Sequence, residues 1–134
     1  KRPLSSMSPT IVSNAEGKPV MVVGTPGGSR IITAVLHSII NVIDYGRNVQ
    51  EAVDAPRFHQ QWLPDLTNVE TFALSPDTAK LLTDMGHKLG APQPANHMAA
   101  ILVGAPALNG KPVGNNRFYG ANDPRRNTGL ALGY

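Results

Sequence analysis

The segment Ile31–Ile43 constrains the fold more than any other stretch of the chain. It is broken only by Thr33, His37, Ser38 and Asn41, and it is too long to be one buried strand. Ile32, Val35, Leu36, Ile39, Ile40 and Ile43 share one helical face, and Ile31 and Val42 widen the stripe. The pattern predicts an almost wholly buried helix ending near Tyr45-Gly46, with Gly46 as its C-terminal cap. Burying six such side chains stabilises a fold by about 9–18 kcal/mol before conformational entropy is subtracted. A chain of 134 residues holding such a helix forms one domain or part of one.

The flanking segments predict the remaining elements. Leu4–Val12 and Val20–Val23 read as two strands of a hairpin, turned at Asn14-Ala15-Glu16-Gly17-Lys18. Asn48-Val49-Gln50-Glu51 has the spacing of a capping box, so a short second helix starts there, and Pro56 stops it. Phe58–Leu63 and Asn68–Ala73 read as strands joined by a Pro64-Asp65 turn. Ser75-Pro76-Asp77 opens a third helix that runs to Met85 and closes at Gly86. His97–Val103 and Phe118–Ala121 read as the last strands. The order is two strands, two helices, two strands, a helix and two strands, an α+β or layered α/β class with antiparallel hairpins.

Composition excludes several functions. There is no cysteine, hence neither a disulfide scaffold nor a thiolate metal site. No apolar run reaches the ~18 residues of a membrane span. The net charge is +3, from 12 Lys+Arg against 9 Asp+Glu. The densest basic spots, Lys1-Arg2 and Arg125-Arg126, lie near the chain ends with no interleaved aromatics, which argues against nucleic acid as the partner.

The candidate chemistry centres on Gly24-Thr25-Pro26-Gly27-Gly28-Ser29-Arg30, which feeds the apolar helix. A helix start offers unsatisfied backbone N–H groups and the positive end of the helix dipole. Paired glycines let an anion come close, whether a phosphate or a developing oxyanion. Ser29-Arg30 after Gly28 lacks the lysine of a phosphate loop, and the spacing is not that of a dinucleotide fingerprint. A tight strand-to-helix connection explains the same residues. Ser5-Ser6-Met7-Ser8-Pro9 is a hydroxyl cluster able to bond a carboxylate or amine, or else a polar strand edge. His37, His59, His87 and His97 show no metal-ligand spacing, and His37 and His59 read as packed histidines. Ser5, His59 and Asp54 could be assembled into a triad on paper, but no nucleophile elbow accompanies them. Asp123-Pro124-Arg125 reads as a turn in which the arginine pairs with a carboxylate.

The strings Lys1–Val12, Gly24–Ile32, Asn41–Gly46, Ala55–His59, Gln61–Asp65, Tyr119–Ala121, Asp123–Arg125 and Gly133-Tyr134 resemble, in order and spacing, the C-terminal part of the small subunit of bacterial γ-glutamyltranspeptidase. The resemblance implies an N-terminal-nucleophile hydrolase: a partial αββα sandwich, with residues 1–134 forming a single, incomplete domain. In that family a precursor cuts itself into a large and a small subunit. The small subunit then begins with a threonine whose hydroxyl attacks γ-glutamyl amides such as glutathione, with its own α-amine as base. The acyl-enzyme passes its γ-glutamyl group to water or to an amino acid. Carried over by motif, Gly27 and Gly28 correspond to the oxyanion-hole pair, and Ser5 and Ser6 to the residues that bind the substrate α-carboxylate.

The resemblance implies no cofactor and no metal. It implies as partners the remainder of the small subunit and the large subunit, with self-association of the fragment also open, and a periplasmic or secreted location. It puts the nucleophile upstream of Lys1, so that the chain alone is expected to be inactive. Related acylases, such as cephalosporin acylase or poly-γ-glutamate processing enzymes, are the nearest alternative. A non-catalytic anion-binding module is the alternative from another class.

Overall fold

The computed structural model describes residues 7–94, 96–103, 107–108, 111–112, 118–126 and 129–132. Two compact units divide it: Lys1–Asp54 with Asn96–Tyr134, and Ala55–Ala95.

In the first unit, β1 (Thr10–Ser13) and β2 (Pro19–Gly24) form the expected hairpin. The Asn14 side chain ties its turn by accepting from the N–H groups of Glu16 at 3.0 Å and Lys18 at 2.9 Å. The first strand is shorter than expected: residues 7–9 are not in a strand, and Leu4–Ser6 lie outside the described residues. The helix α1 spans Ile31–Ile43 and α2 spans Val49–Asp54. After the second unit come β5 (Ala99–Val103), β6 (Ala107–Leu108), β7 (Lys111–Pro112) and β8 (Phe118–Asn122). The β6–β7 hairpin was not expected from the sequence. β1, β2, β5 and β8 lie side by side in that order, every pair antiparallel.

The register sorts this sheet into two faces. Met21, Val23, Ala100, Leu102 and Ala121 are buried and share a core with Ile31, Ala34, Val35 and Val42 of α1 and Val49, Ala52 and Val53 of α2. On the opposite face Ile11, Val22, Ile101 and Gly120 follow one another from strand to strand. All three side chains of that row are exposed.

The helix α1 begins and ends where expected, and Gly46 takes a positive φ of 63° just past it. Its buried face is a correction. Ile31, Ala34, Val35, Ser38 and Val42 face the core, whereas Ile32, Leu36 and Ile43 are exposed. Three large aliphatic side chains are therefore buried on it rather than six, worth about 5–9 kcal/mol. The helix is apolar nearly all round, so its periodicity could not choose the face.

The capping box forms as expected: the Asn48 N–H donates to Glu51 Oε2 at 3.0 Å, and the Glu51 N–H to Asn48 Oδ1 at 2.9 Å. Past α2, Arg125 donates from Nη1 to the Val53 carbonyl at 3.1 Å and from Nη2 to that of Asp54 at 3.0 Å, which satisfies carbonyls at the helix end.

In the second unit, β3 (Phe58–His59) and β4 (Asn68–Val69) are shorter than the predicted strands. The buried pair Arg57 and Glu70 continues their pairing: the Arg57 N–H donates to Glu70 Oε2, and the Glu70 N–H to the Arg57 carbonyl, both at 2.9 Å. The helix α3 (Pro76–Asp84) starts at the expected Ser75 cap and is closed by Gly86 at φ 95°.

Candidate functional site

The glycine-rich turn joins β2 to α1. Gly24, the last residue of β2, pairs with Ala99 at the start of β5. Gly27 then takes φ 145° and Gly28 φ 61°, successive positive values that side-chain-bearing residues avoid. A single 3-10 turn, Gly28–Arg30, follows and leads into α1. The Arg30 N–H donates to the Gly27 carbonyl at 3.3 Å, and the Ile31 N–H to that of Gly28. No side chain caps either helix start, and neither first turn holds an acidic residue. The positive end of the α1 dipole therefore meets no carboxylate of its own first turn. A left-handed residue followed by a right-handed turn aims successive N–H groups at one point, which suits an anion.

Thr25 within the motif and Asn96 outside it hold this turn. Thr25 Oγ1 lies 2.8 Å from the Pro26 and His97 carbonyls, so its one proton ties the turn to the segment before β5. Asn96 is buried, and a Cβ on Gly27 would fall on the end of its side chain. A Cβ on Gly28 would meet open space. Gly27 is thus required by both conformation and contact, Gly28 by conformation alone. Behind Asn96, the Met98 N–H donates to Asp123 Oδ2 at 3.0 Å, and the Asp123 N–H to the Met98 carbonyl at 3.0 Å.

Ser5 and Ser6 lie outside the described residues. Thr10 pairs antiparallel with Val23, so the chain arriving at β1 and the chain leaving β2 toward Gly27 meet at one end of the sheet. The Asp123 turn forms as expected: Asp123 Oδ1 accepts from Arg125 Nη1 at 2.8 Å and from the Arg125 N–H at 3.0 Å. His59 is buried, with Nε2 2.9 Å from Gln61 Oε1. Asp54 Oδ1 accepts from Gln50 Nε2 at 2.8 Å. Both members of the paper triad that are described are thus engaged within their own units. His37 and His97 are half-buried and His87 is exposed. Among the described residues no group of three or more His, Asp or Glu side chains could hold a metal ion. No helix among them is long and apolar enough to cross a membrane.

Sequence reasoning missed the part that Thr25 plays in holding the turn, and missed Asn96 and Met98 altogether. Asn96 lies far along the chain from Gly27, and no local pattern marks the contact.

The family model for Gamma-glutamyltranspeptidase matches residues 1–133. The chain belongs to this family. It is 75% identical over 134 residues to the glutathione hydrolase proenzyme of Pseudomonas sp. (strain A14), covering all of this chain and 23% of that protein. It is 51% identical to the Escherichia coli (strain K12) glutathione hydrolase proenzyme, covering 21% of it. The chain therefore spans under a quarter of the length of these relatives. A crystal structure of a Helicobacter pylori gamma-glutamyltranspeptidase mutant superposes with a TM-score of 0.82 at 49% identity, over 94% of this chain and 64% of that one. The fold is accordingly that of the N-terminal-nucleophile hydrolases, and the four-stranded sheet with α1 and α2 is one sheet and one helix layer of an αββα sandwich. The likeness to cephalosporin acylase from Bacillus halodurans, at 24% identity and a TM-score of 0.65, is one of fold alone.

Proposed function

We propose that this chain is a C-terminal part of the small subunit of a γ-glutamyltransferase and glutathione hydrolase, forming one incomplete domain over residues 1–134. It supplies half of an acyl-transfer site. The backbone N–H groups of Gly27 and Gly28 form the oxyanion hole, and Ser5 and Ser6 bind the α-carboxylate of the γ-glutamyl group. The observation that carries this reading is the pair of successive positive-φ glycines opening onto an uncapped helix start.

The family resemblance implies the chemistry, and the glycine turn suits its oxyanion step. A threonine hydroxyl attacks the γ-carbonyl carbon, and its proton passes to that threonine's own α-amine. The carbonyl π pair moves to oxygen, and the Gly27 and Gly28 N–H groups stabilise the charge as it develops. Losing one donor of this kind costs about 2.7–4 kcal/mol, a hundredfold or more in kcat. Collapse of the tetrahedral species breaks the C–N bond, and the departing amine takes the proton. Water or an amino-acid amine then attacks the ester and releases the γ-glutamyl group.

Thr10, Thr25 and Thr33 do not serve as nucleophile, since the nitrogen of each is held in a peptide bond. Moreover, Thr25 Oγ1 is engaged with carbonyls, and Thr33 Oγ1 donates to the Arg30 carbonyl at 3.2 Å. The reading assigns the nucleophile to the preceding part of the small subunit, and makes that part and the large subunit the partners of this chain. Two exposed apolar surfaces support such partners: Ile11, Val22 and Ile101 on the sheet, and Ile32, Leu36 and Ile43 on α1. The same reading places the protein in the periplasm or outside the cell.

The test is p-nitroaniline release from γ-glutamyl-p-nitroanilide, by the isolated chain and by the processed proenzyme that carries it. Turnover by the proenzyme alone, abolished by Gly28→Pro, is the expected result. Turnover by the isolated chain would overturn the half-site assignment. Phosphate binding by the isolated chain without turnover in either form would favour an anion-binding module instead.

A further inference from the structure

We infer that Asn96 is a positioning residue for the Gly27–Gly28 turn, holding its backbone at the angle the oxyanion requires. The inference rests on the proposed role of that turn.

The glycine turn projects beyond the sheet, where no strand ladder holds it. Its conformation is also an unusual one, with φ 145° at Gly27 and 61° at Gly28. Flexible glycines adopt many other backbone angles at little cost, so something outside the turn must select this one. The structure offers two such devices. The Thr25 hydroxyl ties the near end of the turn to the His97 carbonyl at 2.8 Å. The Asn96 side chain, 5% exposed, occupies the space beside the Gly27 Cα where a Cβ would otherwise stand.

Asn96 can act as a wedge because the chain just after it is anchored. Two residues on, the Met98 N–H is held by the fully buried Asp123 carboxylate, and the Met98 carbonyl accepts the Asp123 N–H. The segment Asn96–Met98 thus spans from a buried carboxylate to the glycine turn. A buried side chain packed where a Gly27 Cβ would stand restricts the plane of the peptide that follows. That peptide carries the Gly28 N–H, one of the two proposed oxyanion donors. A Cβ on Gly28, by contrast, would meet open space.

The variant is Asn96→Ala in the processed proenzyme, with γ-glutamyl-p-nitroanilide as substrate. Removing the wedge frees the turn without touching substrate, so kcat falls roughly 10- to 100-fold while KM holds. Asn96→Leu, which keeps the forked shape at Cγ, recovers most of the loss. The two subunits still form, and the melting temperature moves by only a few degrees. Wild-type kcat in Asn96→Ala would overturn the inference, as would a rise in KM at constant kcat. If Asn96→Ala does not yield processed subunits, Thr25→Val reads the same restraint from the other end of the turn. A fall in kcat at constant KM there supports it, and an unchanged kcat overturns it. Gly28→Pro separates the two levels of the argument. Retained turnover in Gly28→Pro removes the oxyanion role itself. Loss in Gly28→Pro with full turnover in Asn96→Ala removes only the positioning role.

Discussion

Asp123→Ala should destabilise the chain more than any surface change, and the size of the effect follows from the contacts it deletes. The carboxylate is fully buried. It accepts from the Met98 N–H, the Arg125 N–H and Arg125 Nη1 at 2.8–3.0 Å. Truncation leaves the buried Met98 N–H without its acceptor, at a cost of about 1–3 kcal/mol. It also removes the carboxylate from the Arg125 guanidinium. Breaking a fully buried pair costs about 3–5 kcal/mol, but the Arg125 side chain is 16% exposed and keeps the Val53 and Asp54 carbonyls, which lowers that figure. The expected total is about 3–4 kcal/mol, a large share of the ~5–15 kcal/mol that holds a domain folded. Asp123→Asn keeps the shape and one acceptor oxygen, so about half of the loss should return. The assay is urea unfolding followed by circular dichroism, with the midpoint falling at an unchanged slope. Pairing the variant with Arg125→Met should show coupling of about 1 kcal/mol or more. A loss below about 1 kcal/mol in Asp123→Ala, or an Asn variant as damaged as the Ala variant, would refute the reasoning.

Other expectations concern single elements. Asn48→Ala removes one half of the capping box at α2 and should cost about 1 kcal/mol in the same urea assay, and no loss would refute the cap. Ser38 is fully buried on α1, and its Oγ has no hydrogen-bond partner among the described residues, so Ser38→Ala should raise stability by about 1 kcal/mol; a loss would show that the hydroxyl is bonded. The Asp77 carboxyl is held below the ordinary aspartate value of 3.8, chiefly by its hydrogen bond with the Ser75 side chain and then by the Asp77 and Thr78 N–H groups. A lowered folded value means stability that is present above pH 3.8 and lost as the pH falls through the lower, folded value. An NMR titration of Asp77 should therefore have its midpoint below 3.8, with the first turn of α3 loosening across it, and a midpoint at or above 3.8 would contradict the hydrogen bond.

Much of the local structure was legible because its causes are local. Asn48 and Glu51 are three residues apart, and their reciprocal bonds form within one turn of chain. Ser75-Pro76 sets the start of α3, and Gly46 and Gly86 take the positive φ that follows a helix end. The glycine-rich turn stood out for the same reason, since Gly27 and Gly28 adopt angles that other residues avoid. The strand ends in Phe58–Leu63 and Asn68–Ala73 were less legible, because a ladder extends only as far as its partner does. The β6–β7 pair, which the sequence did not reveal, shows the same limit, with only two residues in each strand.

By itself the sequence determined where α1 runs, where the hairpin turns, where the helices are capped and where an anion could approach the backbone. It also carried the family, through strings that recur in order along the whole chain. Only the tertiary structure decided which side of α1 is buried. A helix apolar nearly all round has no preferred face until the sheet supplies one, and the sheet took Ile31, Ala34, Val35, Ser38 and Val42. The tertiary structure likewise brought Asn96 against Gly27 and Asp123 behind Met98. These contacts join residues far apart in the chain, and they exist because β2, β5 and β8 pair in a register that no single strand encodes.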